Sequence, residues 1–459
     1  MDLDWHSADR WLMGEAWVGS QVQDHLRVLC DGIGERWSSS EGERRAVEYL
    51  AGRLKQAGLA EVGLEEFELD TWAWDRAEAR VVEQDRPIQV LPFNRCPPFA
   101  AQGPIVDVGY GTPREVEAQG RRLRGGIAVM HLGFEPFTAP LPHAVRLRLL
   151  AGAGAAAAVA IDRKSGGRAE YHSASDWRHP GLHEHPLPTV TTTREDGALL
   201  RRLARDGRSL SLQVEARLYR APSWNVVGLL PGSRWPEEQL VLGGHHDTVY
   251  GTPGGNDNAT GVIGVLETAR ALARLQAETG VGPGCSLRFV TFAAEEQKFQ
   301  GASAYAERHY GQGRRPRLVL NLDELSTGPF KGIVLAFPHL RDLVQHQLDD
   351  MGDGHQAHCM SQLDATSDHF PFLRAGLDAA FLWRWRFVGR HPDCEYHHEP
   401  ADTADKVNVR ELKEYVGQLA RLLLRLSHVP PGEWPSSPVT AEQVALRLEQ
   451  ERDTVVRVM

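Results

Sequence analysis

The segment from Val241 to Gly261 constrains the fold of this chain more than any other stretch. It reads VLGGHHDTVYGTPGGNDNATG, in which an apolar run ends at His245, a glycine-rich turn follows, and Asp257 precedes a helical pattern. Enzymes of the α/β class gather ligands in this way, above the carboxyl edge of a parallel sheet. Histidine and aspartate are both metal ligands. Because Asp and Asn are also ordinary helix N-caps, the segment alone leaves a purely structural interpretation open.

Other strands predicted after Asn225 end in the same manner. The apolar runs are NVVGLLPG, QLVLGGHHD, LRFVTFAAEE, RLVLNLDEL and AAFLWRW, and helical segments separate them. Apolar, β-branched runs that alternate with amphipathic helices predict a mainly parallel (mixed) sheet flanked by helices on both faces, an α/β fold. Three of the runs deliver ionisable residues at their carboxyl ends: His245 and Asp247, then Glu295 and Glu296, then Asp323 and Glu324.

Carboxyl ends of parallel strands face one edge of the sheet, so these groups are expected to converge. Crowded carboxylates repel one another unless protons or cations neutralise them. Three ligand carboxylates and one bridging hydroxide carry about four negative charges, which two divalent ions balance. A mixed set of imidazole and carboxylate ligands suits Zn²⁺, with Mn²⁺ or Co²⁺ as substitutes.

Cysteine usage points to the same kind of ligand set. The chain has five cysteines, at positions 30, 96, 285, 359 and 394. They are odd in number, far apart and without a C-x-x-C pair, which argues against a disulfide framework or a thiolate zinc site. Imidazole and carboxylate groups are therefore the expected metal ligands.

The length of 459 residues exceeds one ordinary core, so we expect two domains. Residues 86–221 alternate short strands with Pro and Gly turns and include their own helices, which predicts a compact β-rich module. Residues 1–85 and 222–430 would form the other domain, which the family resemblance described below implies is the catalytic domain. Residues 431–459 would form a helical tail, in which Thr440 and Gln443 make a capping box.

Composition excludes several classes of function. The formal net charge of -10 argues against a nucleic-acid partner and against an anionic membrane surface. The longest apolar stretch, 149–161, falls short of the ~20 residues that span a bilayer, and we expect it to be a core helix. The amino terminus has acids where a secretory signal would carry basic residues, so a cytoplasmic location is expected.

Several motifs together resemble the zinc aminopeptidase and glutamate carboxypeptidase family of co-catalytic metallopeptidases. In chain order they are IGERWSSSEGERRA, HHDT, GGNDNATG, AAEE followed by GAS, NLDE, SDH and YHHEPADTADKVN. The resemblance implies the α/β zinc-exopeptidase fold of that family, of the phosphorylase/hydrolase-like kind. The β-rich segment is similar to a protease-associated domain, because GGIAVMHLG, AGAGAAAAVAID and LPTVTTT match its strand-helix-strand core.

The resemblance also implies the site residues. The metal ligands would be His245 and Asp323 at one ion, Glu296 and His398 at the other, and Asp257 between the two. The family ligand immediately precedes x-P-A-D-T, which selects His398 over its neighbour His397. Asp247 would lie behind His245 and fix its tautomer, and Glu295 would be the general base. A cis peptide is implied between Asp257 and Asn258.

Asp368 in the SDH motif would support the metals, although a Ser-Asp pair before FPFL also fits a helix cap. The leading hypothesis for function is a di-zinc exopeptidase that acts on a peptide, most simply an aminopeptidase. A carboxypeptidase or small-amide hydrolase is the alternative, because Glu324 favours binding of an amine whereas Arg384 or Arg386 favours binding of a carboxylate. A non-catalytic receptor-like protein or a one-metal cyclase is a third class. The insertion and the tail are candidate homodimer surfaces.

Overall fold

The computed structural model describes residues 3–133, 138, 141–173, 185–326, 328–352, 356–383 and 396–450. The chain divides into two compact units. The first comprises residues 1–69 and 222–451, and the second contains residues 70–221.

The α-helices of the described residues are α1 (Trp5–Val18), α2 (Val22–Leu26), α3 (Glu41–Gln56), α4 (Pro113–Gln119), α5 (His143–Gly152), α6 (Arg194–Arg205), α7 (Thr260–Thr279), α8 (Gln300–Tyr310), α9 (Arg341–Asp349), α10 (His369–Arg374), α11 (Val409–His428) and α12 (Ala441–Gln450). The strands are β1 (Ala60–Val81), β2 (Arg86–Ile88), β3 (Val90–Pro92), β4 (Phe99–Asp107), β5 (Ile127–His131), β6 (Ala157–Ile161), β7 (Thr189–Thr192), β8 (Ser209–Leu230), β9 (Trp235–His245), β10 (Cys285–Phe292), β11 (Leu318–Asn321), β12 (Gly332–Leu335), β13 (His358–Ser361) and β14 (Ala379–Leu382).

The sheet of the first unit has the strand order β13-β12-β14-β11-β9-β10-β8. Strand β9 runs parallel to β10 and β11, and β11 runs parallel to β14. The pairs β10 with β8 and β12 with β14 are antiparallel. The predicted mainly parallel, mixed sheet is confirmed. In its register His245 lies beside Phe292, and Gly243 lies beside Asn321, so the chain leaves β9, β10 and β11 at the same edge.

Helix α7 is buried along almost its whole length. Its apolar stripe, which includes Val262, Leu266 and Leu272, is fully covered. Helices α1, α3 and α11 all pack on α7, so its other faces are covered as well. The amino terminus of α7 is therefore held firmly beneath the segment that carries Asp257.

Buried ion pairs lock the helices of this unit together. On α7, the Glu267 carboxylate accepts hydrogen bonds from Arg270 Nε at 2.7 Å and from the Gln21 amide at 2.9 Å. Burial alone would raise the pKa of Glu267, but bonds to His25 and Arg270 lower it to about 2. Arg425 on α11 binds the carboxylate of Asp9 on α1 with both terminal nitrogens, at 2.6 Å each.

The second unit has its own sheet, with strands β4 to β7 parallel in sequence order and β3 antiparallel to β7. Strand β4 also pairs with the first part of β8. The expected core helix over 149–161 is wrong. Helix α5 ends at Gly152, Gly154 turns with φ 89°, and the rest of the stretch becomes β6, because its buried Ala and Val residues suit a strand covered on both faces.

The carboxy-terminal segment packs within the first unit. Thr440 and Gln443 form the predicted capping box of α12, with both reciprocal bonds at 3.2 Å. Val439 and Val444 are buried in one apolar cluster with Phe372 of α10. Among the described helices, none has both the length and the apolar character that a membrane span requires.

Candidate metal centre

His245, the last residue of β9, meets two carboxylates from other parts of the chain. Its Nε2 lies 3.2 Å from Oδ1 of Asp257 and 3.5 Å from Oδ1 of Asp323. Asp323 follows β11, and Asp257 lies in an irregular turn directly before α7. All three side chains are buried. Residues separated by up to 78 positions in the sequence thus meet at the carboxyl edge of the sheet.

A second imidazole approaches the other oxygen of Asp257. Nε2 of His398 lies 3.3 Å from Oδ2 of Asp257 and 3.2 Å from Oε2 of Glu296, which follows β10. The two oxygens of Asp257 therefore face different histidines, and each histidine has a further carboxylate beside it. This is the arrangement needed for a carboxylate shared by two cations. The peptide between Asp257 and Asn258 is cis, as predicted.

The neighbouring His397 also contacts this cluster. Its Nδ1 lies 3.0 Å from Oδ2 of Asp257 and 3.1 Å from Oε1 of Glu324, and its ring stacks on that of His398 with centroids 3.7 Å apart. Glu324 is buried and has a left-handed backbone, with φ 51°. His398 reaches Glu296, whereas His397 turns toward Glu324. Arg384 and Arg386, which the sequence offered for binding a carboxylate, lie outside the described residues.

Asp247 links β9 to the end of β10. Its Oδ1 accepts a hydrogen bond from the amide of Glu295 at 3.1 Å, and its Oδ2 accepts one from the amide of Glu296 at 3.3 Å. The predicted contact with His245 is also present, since Nδ1 of that imidazole lies 3.4 Å from Oδ1 of Asp247. Sequence reasoning missed the two amide bonds, because every residue except proline has a backbone N–H donor, whatever its side chain.

Asp368 is fully buried, and among the described residues neither of its carboxylate oxygens has a hydrogen-bond partner. Burial raises its pKa well above the usual range, and nearby carboxylates including Asp247 and Asp323 raise it further, against the opposing effect of His245. The pKa of Glu295 is raised in the same sense, by burial and by the charges of Glu296, Asp323 and Asp368. The cluster has more negative charge than its side chains can neutralise.

The two histidines respond in the opposite direction. Burial alone would lower the pKa of His245, but the charge of Glu295 and contacts with Asp247, Asp257 and Asp323 raise it well above its usual value. His398 shows the same balance, with Glu296 and Asp257 as the groups that raise its pKa. Imidazole nitrogens and carboxylate oxygens in this proportion, together with the unpartnered carboxylate of Asp368, fit divalent cations.

The GNDNAT segment fixes the loop after β11 in a way that sequence reasoning did not predict. Three of its side chains bond backbone groups of residues 322–326. Asn258 makes two of these bonds: its Oδ1 accepts from the Glu324 amide at 3.2 Å, and its Nδ2 donates to the Leu322 carbonyl at 3.0 Å. Asn256 Oδ1 accepts from the Ser326 amide at 3.0 Å. Thr260 Oγ1 accepts from the Leu325 amide at 2.9 Å. The polar residues on both sides of Asp257 therefore set the position of Asp323. The polar residues Asn256, Asn258 and Thr260, which lie at every second position around Asp257, are the sequence signal that could have suggested these backbone contacts.

Comparison with known proteins agrees with this geometry. Residues 225–423 match the profile of peptidase family M28. Carboxypeptidase Q of Bos taurus is 27% identical over 310 residues, which cover 65% of this chain and 64% of that protein. Aminopeptidase YwaD of Bacillus subtilis (strain 168) is 24% identical over 405 residues, which cover 85% of this chain and 80% of that protein.

A solved structure of a peptidase M28 precursor from Shewanella amazonensis SB2B has the same fold. It superposes with a TM-score of 0.76 at 20% identity and covers 95% of this chain and 98% of its own. Carboxylates and imidazoles gathered at the carboxyl edge of a mainly parallel sheet form the kind of site that metal-dependent hydrolases use. The region matched by the family profile contains every candidate site residue, from His245 to His398. The family resemblance of the motifs is confirmed, and the protein is a metallo-exopeptidase.

Proposed function

We propose that this protein hydrolyses a terminal peptide bond with two Zn²⁺ ions as its cofactor. One observation carries the proposal: the two oxygens of Asp257 each lie within 3.3 Å of a different imidazole, His245 on one side and His398 on the other. A shared carboxylate between two such groups suits a pair of cations rather than one. A solved structure of similar fold, the zinc aminopeptidase of Bacillus subtilis, supports Zn²⁺ as the metal, with Mn²⁺ or Co²⁺ as alternatives.

In the proposed site, His245 and Asp323 would hold one ion, Glu296 and His398 would hold the other, and the carboxylate of Asp257 would be shared between them. Bound zinc ions of this kind lower the pKa of water and polarise a carbonyl group. The hydrogen-bonded carboxylate of Asp247 orients the imidazole of His245 from behind, which fixes its tautomer. Asp368 adds a further buried negative charge close to the same groups.

We assign the role of general base to Glu295. Its carboxylate would remove a proton from the attacking water and then return that proton to the amine nitrogen as the peptide bond breaks. The raised pKa of Glu295, caused by burial and by neighbouring carboxylates, suits a group that must hold a proton between these two steps. Asp247 bonds the amide of Glu295 and so fixes where the base stands.

We propose an aminopeptidase, with a carboxypeptidase or small-amide hydrolase as the alternative. The long alignment with Aminopeptidase YwaD supports the first, and the alignment with Carboxypeptidase Q supports the second. Glu324 is a buried carboxylate outside the proposed ligand set and lies beside His397. A negative charge there would attract the ammonium group of a peptide amino terminus rather than a terminal carboxylate, which favours the aminopeptidase.

The test combines metal analysis with a substrate panel. We expect two zinc ions per chain, hydrolysis of aminoacyl anilides and amino-terminal dipeptides, loss of activity with a chelator and recovery with Zn²⁺. Exclusive cleavage of amino-blocked peptides at the carboxyl end would establish the carboxypeptidase instead. One ion per chain with amine-releasing cyclisation would indicate a cyclase. A zinc-free protein without hydrolytic activity would contradict the proposed function and indicate a receptor-like relative.

We also propose that residues 86–221 form a protease-associated-like insertion, which the parallel strands β4 to β7 and helices α5 and α6 support. The four described cysteines are all buried and free, which supports the cytoplasm as the location. A homodimer through the insertion or the tail is the proposed assembly, and size-exclusion chromatography with light scattering tests it.

A further inference from the structure

Two buried charged side chains hold the backbone that leads to Asp257. Arg36, in the GIGERWSSS turn, is completely buried, and its guanidinium donates hydrogen bonds to main-chain carbonyls rather than to a carboxylate. Its partners are the carbonyls of His246 at 2.8 Å, Leu29 at 3.1 Å, Gly34 at 2.9 Å, Pro253 at 2.6 Å and Gly254 at 3.1 Å. The bonds to residues 253 and 254 hold the main-chain carbonyl groups at the start of this segment.

Asp402 accepts hydrogen bonds from the main-chain amides at the end of the same segment. Its Oδ1 accepts from the Asn256 amide at 2.8 Å and its Oδ2 from the Asp257 amide at 2.9 Å, while its carbonyl accepts from the Gly255 amide at 2.9 Å. The carboxylate is 1% exposed, so both bonds are shielded from water. Asp402 follows His398 by four residues, so it ties the chain that carries His398 to the chain that carries Asp257.

The two glycines of the GGNDN motif make this approach possible. A Cβ atom at residue 255 would lie 2.5 Å from the carbonyl oxygen of Thr403, which is too close for any other residue type. Gly254 has φ 58°, and a Cβ there would lie 3.0 Å from a guanidinium nitrogen of Arg36. The glycines therefore let the backbone lie between the two charged groups.

We propose that Arg36 and Asp402 are positioning residues that form a clamp on residues 253–257 and thereby set the Asp257 carboxylate, and with it His398, for binding metal. Hydrogen bonds from Arg36 and Asp402 go to main-chain atoms of the segment, so their effect on the cations is transmitted through the backbone of Asp257. The clamp rests on the proposed function for its catalytic consequence. Its effect on metal binding and on the backbone can be measured without any substrate.

The variant D402N keeps the size of the side chain but replaces one acceptor oxygen by an NH₂ group that faces an amide donor. The matched control is D405N, three residues further along the same turn, where the side chain is 71% exposed and pairs with Lys406. In metal-free protein we expect hydrogen exchange of residues 255–257 to accelerate in D402N and to stay at the wild-type rate in D405N. Circular dichroism checks that both variants are folded.

Zinc titration against a chromophoric chelator then tests the functional part of the proposal. We expect D402N to bind Zn²⁺ about 10–100-fold more weakly and to lose kcat in proportion, with little change in KM. The Co²⁺ absorption spectrum should also change, because the ligand geometry changes. R36K keeps the positive charge, but a lysine ammonium cannot reach all of the carbonyls that the guanidinium bonds. We therefore expect weaker Zn²⁺ binding and a lower kcat in R36K as well. The exposed control R44K should behave as wild type.

The outcomes separate the clamp from the proposed function. Wild-type zinc affinity and Co²⁺ spectrum in both D402N and R36K would overturn the clamp, as would unchanged hydrogen exchange of residues 255–257. If wild-type protein binds two zinc ions and cleaves no peptide, the proposed function fails, while the zinc affinities of the variants still decide whether the clamp exists.

Discussion

The carboxylate of Asp247 accepts a hydrogen bond from the backbone amide of Glu295, with oxygen and nitrogen 3.1 Å apart. Asp247 follows β9 and Glu295 follows β10, the neighbouring parallel strand. The chain that leaves β9 directly after the proposed ligand His245 therefore also positions the proposed base. In the proposed site, ligand and base would thus be positioned by the same aspartate at this corner of the sheet.

Replacement of Asp247 by Asn should weaken that unit. The amide group of Asn presents a donor where an oxygen now accepts from Glu295 or Glu296, so one of the two bonds is lost. We expect kcat to fall about 10–100-fold and zinc affinity to weaken, as is usual when a partner behind a ligand is removed. Steady-state kinetics and zinc titration measure both, with the exposed D24N as control. Normal values of both would show that Asp247 has no positioning role.

Replacement of Glu295 by Gln should separate metal binding from catalysis. Glu295 is not among the proposed ligands, so we expect the variant to retain two zinc ions. Without a group to carry the proton, kcat should drop by about 10²–10⁴-fold. Metal analysis beside initial-rate assays checks this, and E307Q on the exposed side of α8 provides the control. Near-normal turnover in a fully metal-loaded E295Q protein would remove Glu295 from the role of base.

Replacement of Asp368 by Asn should have opposite effects on stability and activity. The carboxylate is fully buried among other acids, and neither oxygen has a hydrogen-bond partner among the described residues, so a neutral side chain of equal size relieves repulsion. We expect the metal-free variant to unfold with a free energy about 1–2 kcal/mol higher than wild type, since buried unpaired charge is costly. Urea denaturation measures this, and kcat should fall. A metal-free variant less stable than wild type would show that Asp368 is structural.

Stability at low pH should depend on Glu267. Its pKa is about 2 in the folded protein against 4.5 when unfolded, so the unfolded state binds the proton more readily. The stabilisation is therefore complete above about pH 5 and is lost as the pH falls toward 2, and it is on the order of 3 kcal/mol. We expect the stability difference between wild type and E267Q to shrink over this range in urea denaturation. A difference that does not change with pH would contradict the linkage.

Sequence patterns predicted the sheet because apolar periodicity is a local signal. Polar strand ends and the family resemblance indicated the candidate ligands, whose roles remain a prediction. Strand β9 and helix α7 lie where the pattern placed them, and His245 and Asp257 stand next to each other. Helix α1 was not predicted, because its buried face contains Asp9, whose partner Arg425 lies more than 400 residues away. Sequence analysis predicts that a charged residue is exposed to solvent, unless its distant ion-pair partner is known.

Contacts between side chains and backbone were also beyond prediction. Residue type shows that Asn258 can bond an amide, but it cannot show that the amide belongs to Glu324. The bonds of the Arg36 side chain to carbonyls are of the same kind, and the pairing of the His397 and Glu324 side chains was equally unpredictable. They depend on how loops from different strands meet, which only the folded chain determines.

The position of His398 in the sequence has a consequence for how the protein matures. A nascent chain that has emerged from the ribosome only to residue 390 contains His245, Asp257, Glu296 and Asp323 but lacks both His398 and Asp402. In the proposed site, such an intermediate would lack one ligand of the second ion and the Asp402 bonds to residues 255–257. Loading of the full metal pair during biosynthesis would then wait until nearly all of the described chain has been translated.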